Sequence, residues 1–304
     1  MDKISATIFF PLLNGISDHF EETLNAVRKQ KVGFPFEIVA IDTGSTDGTV
    51  EFLEKQSDIR FSQIPNSQFS HGGTRQKGAE MAKGEFVVFL TQDATPTDES
   101  WLGRVIKNFE DPEVVGVCSR VIPRKDAHIL KKIEVNNDLS GRKERIEAQI
   151  KNKDDFEKLS FPEKRRDYYF FNDVSSAVRK DYILRNPLPA INFAEDVEFA
   201  KYALADGKKI IFEPEAVVRH SHDYKILKTF KRNLVDSEYH KKHLGIKNVP
   251  ALKNVFQNVA MLVRRDWREM KKYNPSFFNI LVAILYSPLI HFAEQLGQYK
   301  GTKD

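Results

Sequence analysis

The stretch that most constrains this chain is Glu85–Pro96, E-F-V-V-F-L-T-Q-D-A-T-P, where an unbroken apolar run leads straight into a lone carboxylate. Phe86 to Leu90 is a short series of β-branched and aromatic residues, opened by Lys83-Gly84 and closed by Pro96. That is the pattern of a strand buried on both faces. Asp93 therefore falls just past the strand's C-terminal end, where open α/β sheets bind ligands, and is a candidate for holding a metal ion or a polar ligand group. Taken alone, Thr91, Asp93 and Thr95 would equally serve to turn the chain.

The surrounding sequence repeats this strand-then-loop arrangement. An apolar strand over Ala6–Leu13 ends at the turn pair Asn14-Gly15, and a helix follows through Phe20, Leu24 and Val27, with acids in its first turn and bases in its last. A second strand, Phe36–Ile41, stops at D-T-G-S-T-D-G-T, residues 42–49, which leads into a helix expected over Thr46–Phe52. A third strand, Ile59–Ile64, precedes the loop F-S-H-G-G-T-R, residues 69–75. Its glycines permit close backbone approach, and Arg75 is expected to open a helix running to Met81. After the opening strand come a helix over Ser100–Phe109 and a strand over Val114–Val121. Strands alternating with helices imply βαβ units and a mostly parallel sheet.

Residues 123–166 are highly charged with few apolar anchors, and the pattern predicts a solvated helical insertion or a mobile loop. A strand is expected at Tyr168–Asn172, and a helix carrying Glu195 and Asp196 in its first turn spans Phe193–Ala200, with Gly207 capping its far end. Strands at Lys209–Phe212 and Ala216–Arg219 lead to His220-Ser221-His222. The rest of the chain, residues 226–304, reads as helices.

With 304 residues and 41% hydrophobic content, the chain can build a sizeable core. A net charge of +4 is too small an excess to imply nucleic acid. The single cysteine, Cys118, excludes an internal disulfide framework and fits a reducing cytosol. It lies in an apolar run and reads as a strand residue, not a nucleophile. No stretch is expected to span a membrane: Phe277–Phe292 comes nearest to the length of about 20 residues required, and Pro288 should break it.

Polar loops thus follow several strands and converge on one rim. The segments Ile38–Thr49, Phe89–Asp93 and Glu195-Asp196 resemble the inverting nucleotide-sugar glycosyltransferases of family 2, which have the GT-A fold. The segments H-G-G-T-R (71–75), Q-D-A (92–94), F-A-E-D (193–196) and H-S-H (220–222) are most similar to bacterial rhamnosyltransferases that use dTDP-L-rhamnose to build cell-surface polysaccharide. The resemblance covers residues 4 to about 225. It implies a catalytic domain over residues 1–225, with Asp42, Asp47, Arg75, Gln92 and Asp93 binding the donor nucleotide. Asp93 would hold Mg²⁺ or Mn²⁺ on the diphosphate as the last acid of the family's Asp-x-Asp motif, where Thr91 replaces the usual first Asp. His222 or His220 could add a ligand, which Mn²⁺ tolerates better than Mg²⁺.

Inversion in one displacement needs a carboxylate base, and the resemblance assigns this to Asp196, with Glu195 beside it. Arg75 would bind a phosphate oxygen or lie idle at the surface. The implied acceptor is a lipid-linked saccharide, and the implied location is the cytoplasm or the inner face of the membrane. A UDP- or GDP-sugar donor, or a non-catalytic nucleotide-sugar scaffold, would fit the same motifs. The basic and apolar C-terminal helices suit an anionic membrane surface, a homo-oligomer contact, or packing on the catalytic domain.

Overall fold

A computed structural model describes residues 5–222, 225–273 and 276–303. The chain divides into two compact units, one made of Met1–Ile122 and Asp138–His220 and the other of Pro123–Asn137 and Ser221–Asp304.

The first unit is built on a mixed sheet. Its strands are β1 (Ala6–Leu12), β2 (Phe36–Asp42), β3 (Ile59–Gln63), β4 (Phe86–Leu90), β5 (Thr95–Pro96), β6 (Val114–Ile122), β7 (Ile146–Ala148), β8 (Ser175–Arg179) and β9 (Lys209–Arg219). The order is β3-β2-β1-β4-β8-β6-β9-β5, with β7 also on β9. The expected parallel pairing holds for β3, β2, β1 and β4 and for β6 with β9. Insertion of β8 between β4 and β6, antiparallel to both, makes the sheet mixed.

Apolar residues alternate onto two covered faces, as the strand period of two dictates. Phe9, Val39, Val87 and Phe89 cluster on one face with residues of α3 (His71–Met81), α8 (Lys180–Arg185) and α9 (Glu195–Ala205). On the other, Phe10 meets Phe20 of α1 (Phe20–Arg28) edge-on at 5.3 Å. Each of these aromatic or branched side chains contributes about 1.5–3 kcal/mol by leaving water. Helix α3 lies close on β1 because Gly78 has no Cβ; one built there would meet the Phe9 ring at 2.5 Å. The helices α2 (Thr49–Leu53) and α4 (Trp101–Lys107) complete the early βα units.

Several boundaries move for local reasons. Helix α2 starts at Thr49, not Thr46, because Asp47 Oδ1 accepts the Thr49 amide (3.1 Å) while the Thr46 amide is taken by Asn14 Oδ1 (2.8 Å). Helix α3 starts at His71, four residues before Arg75, because Ser70 caps it by accepting from the Gly73 amide. Tyr168–Asn172 forms no strand; Phe170 and Phe171 are instead buried just ahead of β8. The two expected final strands are one, β9, whose pairing with β6 slips around Pro214.

The charged stretch 123–166 is not one solvated insertion. It contains α5 (Ile129–Asn137), β7, α6 (Lys153–Lys158) and α7 (Phe161–Asp167). Its first part belongs to the second unit, where Ile129, Leu130 and Ile133 are buried with Met270 and Ala283. Few apolar residues suffice there because they share one face of a short helix.

The second unit is otherwise α10 (Ile226–Leu244), α11 (Leu252–Met270) and α12 (Phe277–Gly301). Helix α12 continues through Pro288, so the expected break does not occur. Asn279–Gly301 is long and apolar enough to cross a membrane by length and composition, and 33% of its apolar window is buried within the protein. Gly297 and Gly301 let α12 approach α10; a Cβ on either would lie 2.5 or 2.4 Å from a carbonyl oxygen of Phe230 or Leu234. Asp266, His291 and Ser287 are buried between α11 and α12, with His291 Nε2 and Ser287 Oγ both 2.7 Å from Asp266 Oδ2.

Candidate active site

The loops after β1, β2 and β4 are braced to one another by side chains that the sequence marks as ligand-binding. Asp42 is buried and accepts from its own loop: Gly44 and Ser45 amides at 3.0 and 3.1 Å on Oδ1, and the Ser45 hydroxyl on Oδ2. Asp47 Oδ2 accepts from the Ser17 amide (2.8 Å) and hydroxyl (2.9 Å), tying the second loop to the first. Burial works to raise the Asp47 carboxyl, but the Thr49 and Ser17 hydrogen bonds outweigh it and hold the group below its ordinary value. Gln92 exchanges hydrogen bonds with both backbone groups of Leu13, at 2.9 and 3.0 Å, and donates to Asp18 Oδ2. These three residues therefore shape the rim by fixing its loops.

Asp93 is different. It is 2% exposed, and His220 Nδ1 lies 2.7 Å from its Oδ2. The two meet because β5 pairs antiparallel with the end of β9, Thr95 opposite Arg219, which brings the chain after β9 beside the chain after β4. His222 follows two residues later, and ligand atoms of Asp93, His220 and His222 lie within 4.8 Å of one another. One carboxylate and two imidazoles fit a divalent transition ion such as Mn²⁺ better than Mg²⁺, which favours oxygen ligands.

Thr91 stands where a second acid would be usual, and its surroundings give a reason. Its amide and hydroxyl both donate to the Val174 carbonyl, at 3.1 and 3.3 Å. A carboxylate there has no proton to donate and would face that oxygen unfavourably.

The acids at the start of α9 part company. Ala194 precedes the helix in the left-handed region, φ 61°. Asp196 is half-buried and accepts from the Val197 amide at 2.8 Å. Glu195 is buried, with Oε1 2.9 Å from Nη1 of Arg75. Adjacent helical residues point about 100° apart, so one carboxylate goes inward and its neighbour does not.

Arg75 is not a surface group at a helix start. It lies inside α3, 3% exposed, with Nε 3.3 Å from Asp173 Oδ2 and Nη2 donating to the Asp173 carbonyl at 3.2 Å. One guanidinium thus faces two buried carboxylates. Burial pushes Glu195 up to about 8 and Asp173 up to about 6; Arg75 pulls both back, while the nearby Asp196 adds to the rise. Burial and the neighbouring acids thus both work against full ionisation of this cluster, and Arg75 works for it.

The loop before α9 is seated on α3 through Gly72. Its amide donates to the Ile191 carbonyl at 3.1 Å, and a Cβ there would lie 1.9 Å from the Pro189 carbonyl oxygen. Asp173 completes a chain of contacts, because Val174 beside it receives Thr91, two residues before Asp93. Asp173 was not visible as a site residue in the sequence; its only signal is an acid two residues past the apolar run ending at Phe171. Cys118 is buried and its thiol is pushed up to about 12 by burial, so it is inert.

The model of the family "Glycosyl transferase family 2" matches residues 7–182. The O-antigen chain rhamnosyltransferase RfbN of Salmonella typhimurium is 30% identical over 236 residues, 77% of this chain and 72% of the relative. WbaN of Salmonella anatum, of the same description, is 32% identical over 238 residues, 78% and 72%. Among solved structures, the mannosyltransferase PcManGT from Pyrobaculum calidifontis, in complex with GDP-Man and Mn²⁺, superposes with TM-score 0.58 at 17% identity, covering 98% of this chain and 85% of that one. TarS 1-349 of S. aureus, in complex with UDP-GlcNAc, gives 0.55 at 17% identity, 98% and 90%. These two are likenesses of fold, the GT-A arrangement expected from the motifs.

Proposed function

Because the chain belongs to glycosyl transferase family 2 and is a glycosyltransferase, we propose that it transfers L-rhamnose from dTDP-β-L-rhamnose to a hydroxyl of a lipid-linked glycan, with inversion, at the cytoplasmic face of the membrane. The rhamnosyltransferase relatives support the sugar and the polysaccharide setting. The observation that carries the reading is the pair of braced acids on one rim: Asp93 with His220 and His222 at the end of β4, and Asp196 at the start of α9.

Asp196 acts as the base. As the acceptor oxygen attacks the anomeric carbon, its proton passes to the Asp196 carboxylate, and the bond to the diphosphate oxygen breaks with its electron pair leaving on dTDP. A divalent cation held by Asp93, His220 and His222 would neutralise the charge of the departing diphosphate. Glu195 does not share the base role; its bond to Arg75 fixes the first turn of α9 and so aims its neighbour. The loops braced by Asp42, Asp47 and Gln92 form the wall on which the nucleotide lies.

Two measurements test this. Incubation with dTDP-rhamnose, Mn²⁺ and a rhamnosylated acceptor should release dTDP; a scaffold that only binds would release none. A thermal-shift panel should show dTDP raising the melting point more than UDP or GDP, since ligands stabilise the state they bind. A larger shift with UDP would overturn the rhamnose assignment and leave the transferase chemistry standing.

A further inference from the structure

We infer that helices α11 and α12 form a surface that docks in the plane of an anionic phospholipid bilayer. On α12, Phe277, Leu281, Leu285, Leu289 and Phe292 recur every three or four residues and are all exposed, Phe277 at 81% and Leu285 at 64%. No Asp, Glu, Lys or Arg occurs between Phe277 and Phe292. An apolar stripe of this length left in water marks a contact surface. On α11, Lys253, Phe256, Ala260, Arg264, Trp267 and Lys271, the last in the turn just past the helix, follow the same spacing and are likewise exposed. The opposite side of α11 is buried through Val255, Asp266 and Met270. Phe256 and Phe292 touch, ring centroids 6.1 Å apart, so the two helices present one continuous face.

The chemistry of that face selects its occupant. Cations and aromatic residues alternate along α11 with no acid on that line, next to an apolar stripe. This is how a helix lying at a lipid interface is built: rings and leucines enter the acyl boundary while Arg and Lys meet anionic headgroups. A second copy of the chain is a poor occupant, because a two-fold contact through this face would lay one cation-bearing, acid-free line of α11 against another. Spanning is also disfavoured. Helix α12 packs on a cation-bearing α11 and shares with it the buried Asp266 and His291, with the partly buried Glu294 beside them, and such charges are costly at the bilayer centre.

The full-length protein is tested by sedimentation with vesicles of phosphatidylcholine alone or with about one-third phosphatidylglycerol. Wild type should sediment with the anionic vesicles and be released by high salt. Arg264→Gln/Lys271→Gln should weaken anionic binding about 25-fold, about fivefold per cation. Leu285→Gln/Leu289→Gln should weaken it at least tenfold on either vesicle. Both variants should keep the wild-type melting point and dTDP affinity. Without any substitution, Trp267 emission should shift to the blue on anionic vesicles, while the buried Trp101 does not respond. Failure of wild type to sediment would overturn the inference. So would a stable dimer that Leu285→Gln/Leu289→Gln converts to monomer, or a protein released from membranes by detergent alone. None of these outcomes bears on donor turnover, so the transferase reading stands or falls separately.

Discussion

Replacing Arg75 by methionine removes the cation that Glu195 and Asp173 share while nearly preserving side-chain volume. All three groups are almost wholly buried, with side chains 4%, 8% and 5% exposed. Taking one partner from a buried ion pair costs about 3–5 kcal/mol. Here the cost depends on pH, because Glu195 is pushed up to about 8 and Asp173 to about 6. A carboxyl raised in the folded state contributes stability that is full below its unfolded value, near 4.5 for Glu195, and is lost as pH rises through the folded value. At pH 6, well below the value for Glu195 and at that for Asp173, only a partly ionised Asp173 loses its charge partner, and the variant should be destabilised by about 1–2 kcal/mol. At pH 8.5 both acids need the cation, and the difference should reach about 3–5 kcal/mol, or about 6–20 °C in melting temperature for a unit of this size.

If Arg75, turned onto Glu195 and Asp173, acts by bracing α9, kcat should fall about tenfold to a hundredfold, with KM for the donor changed less than about twofold. The assays are melting curves at both pH values, donor titrations and initial rates. A tenfold loss of dTDP affinity with an unchanged, pH-independent melting point would refute this reasoning and make Arg75 a phosphate ligand.

Gly72→Ala should cost about 1–3 kcal/mol in a urea titration, because its methyl group would meet the Pro189 carbonyl at 1.9 Å, and the displaced loop should lower turnover as well. Thr91→Asp, which restores the acid usual in the family's motif, should not tighten Mn²⁺ binding; it should lower the melting point by placing a carboxylate against the Val174 carbonyl. His220→Ala and His222→Ala should each weaken Mn²⁺ binding at least about tenfold, read by electron paramagnetic resonance titration of the free ion; unchanged binding in both would remove the imidazoles from the metal site.

The early half of the catalytic unit was legible because its strands are buried on both faces. Val87 to Leu90 and Ile38 to Ile41 are nearly solvent-free, and a continuous apolar run followed by a polar loop leaves few other readings. Tyr168–Asn172 carries the same apolar signal without being a strand, because Phe170 and Phe171 enter the core from an irregular segment, which periodicity does not distinguish. The acids were legible by position but not by partner. Glu195 and Asp196 look equivalent in sequence, and only the fold brings Arg75, 120 residues earlier, against one of them. The start of α3 was hidden because Ser70 caps a first turn containing two glycines, residues that ordinarily argue for a loop. Pro288 was misleading for a related reason: a proline removes one helical hydrogen bond, but α12 is held on both sides of it by packing against α10 and α11.

The proposed reaction is an inverting transfer of rhamnose with Asp196 as the base. The most direct test follows dTDP-β-L-rhamnose, Mn²⁺ and acceptor by proton NMR in the presence of wild type and of Asp196→Asn. Wild type should give an α-linked rhamnoside, and Asp196→Asn should give a rate lower by at least about a hundredfold with dTDP affinity unchanged. A β-linked product, or substantial turnover by Asp196→Asn, would contradict it.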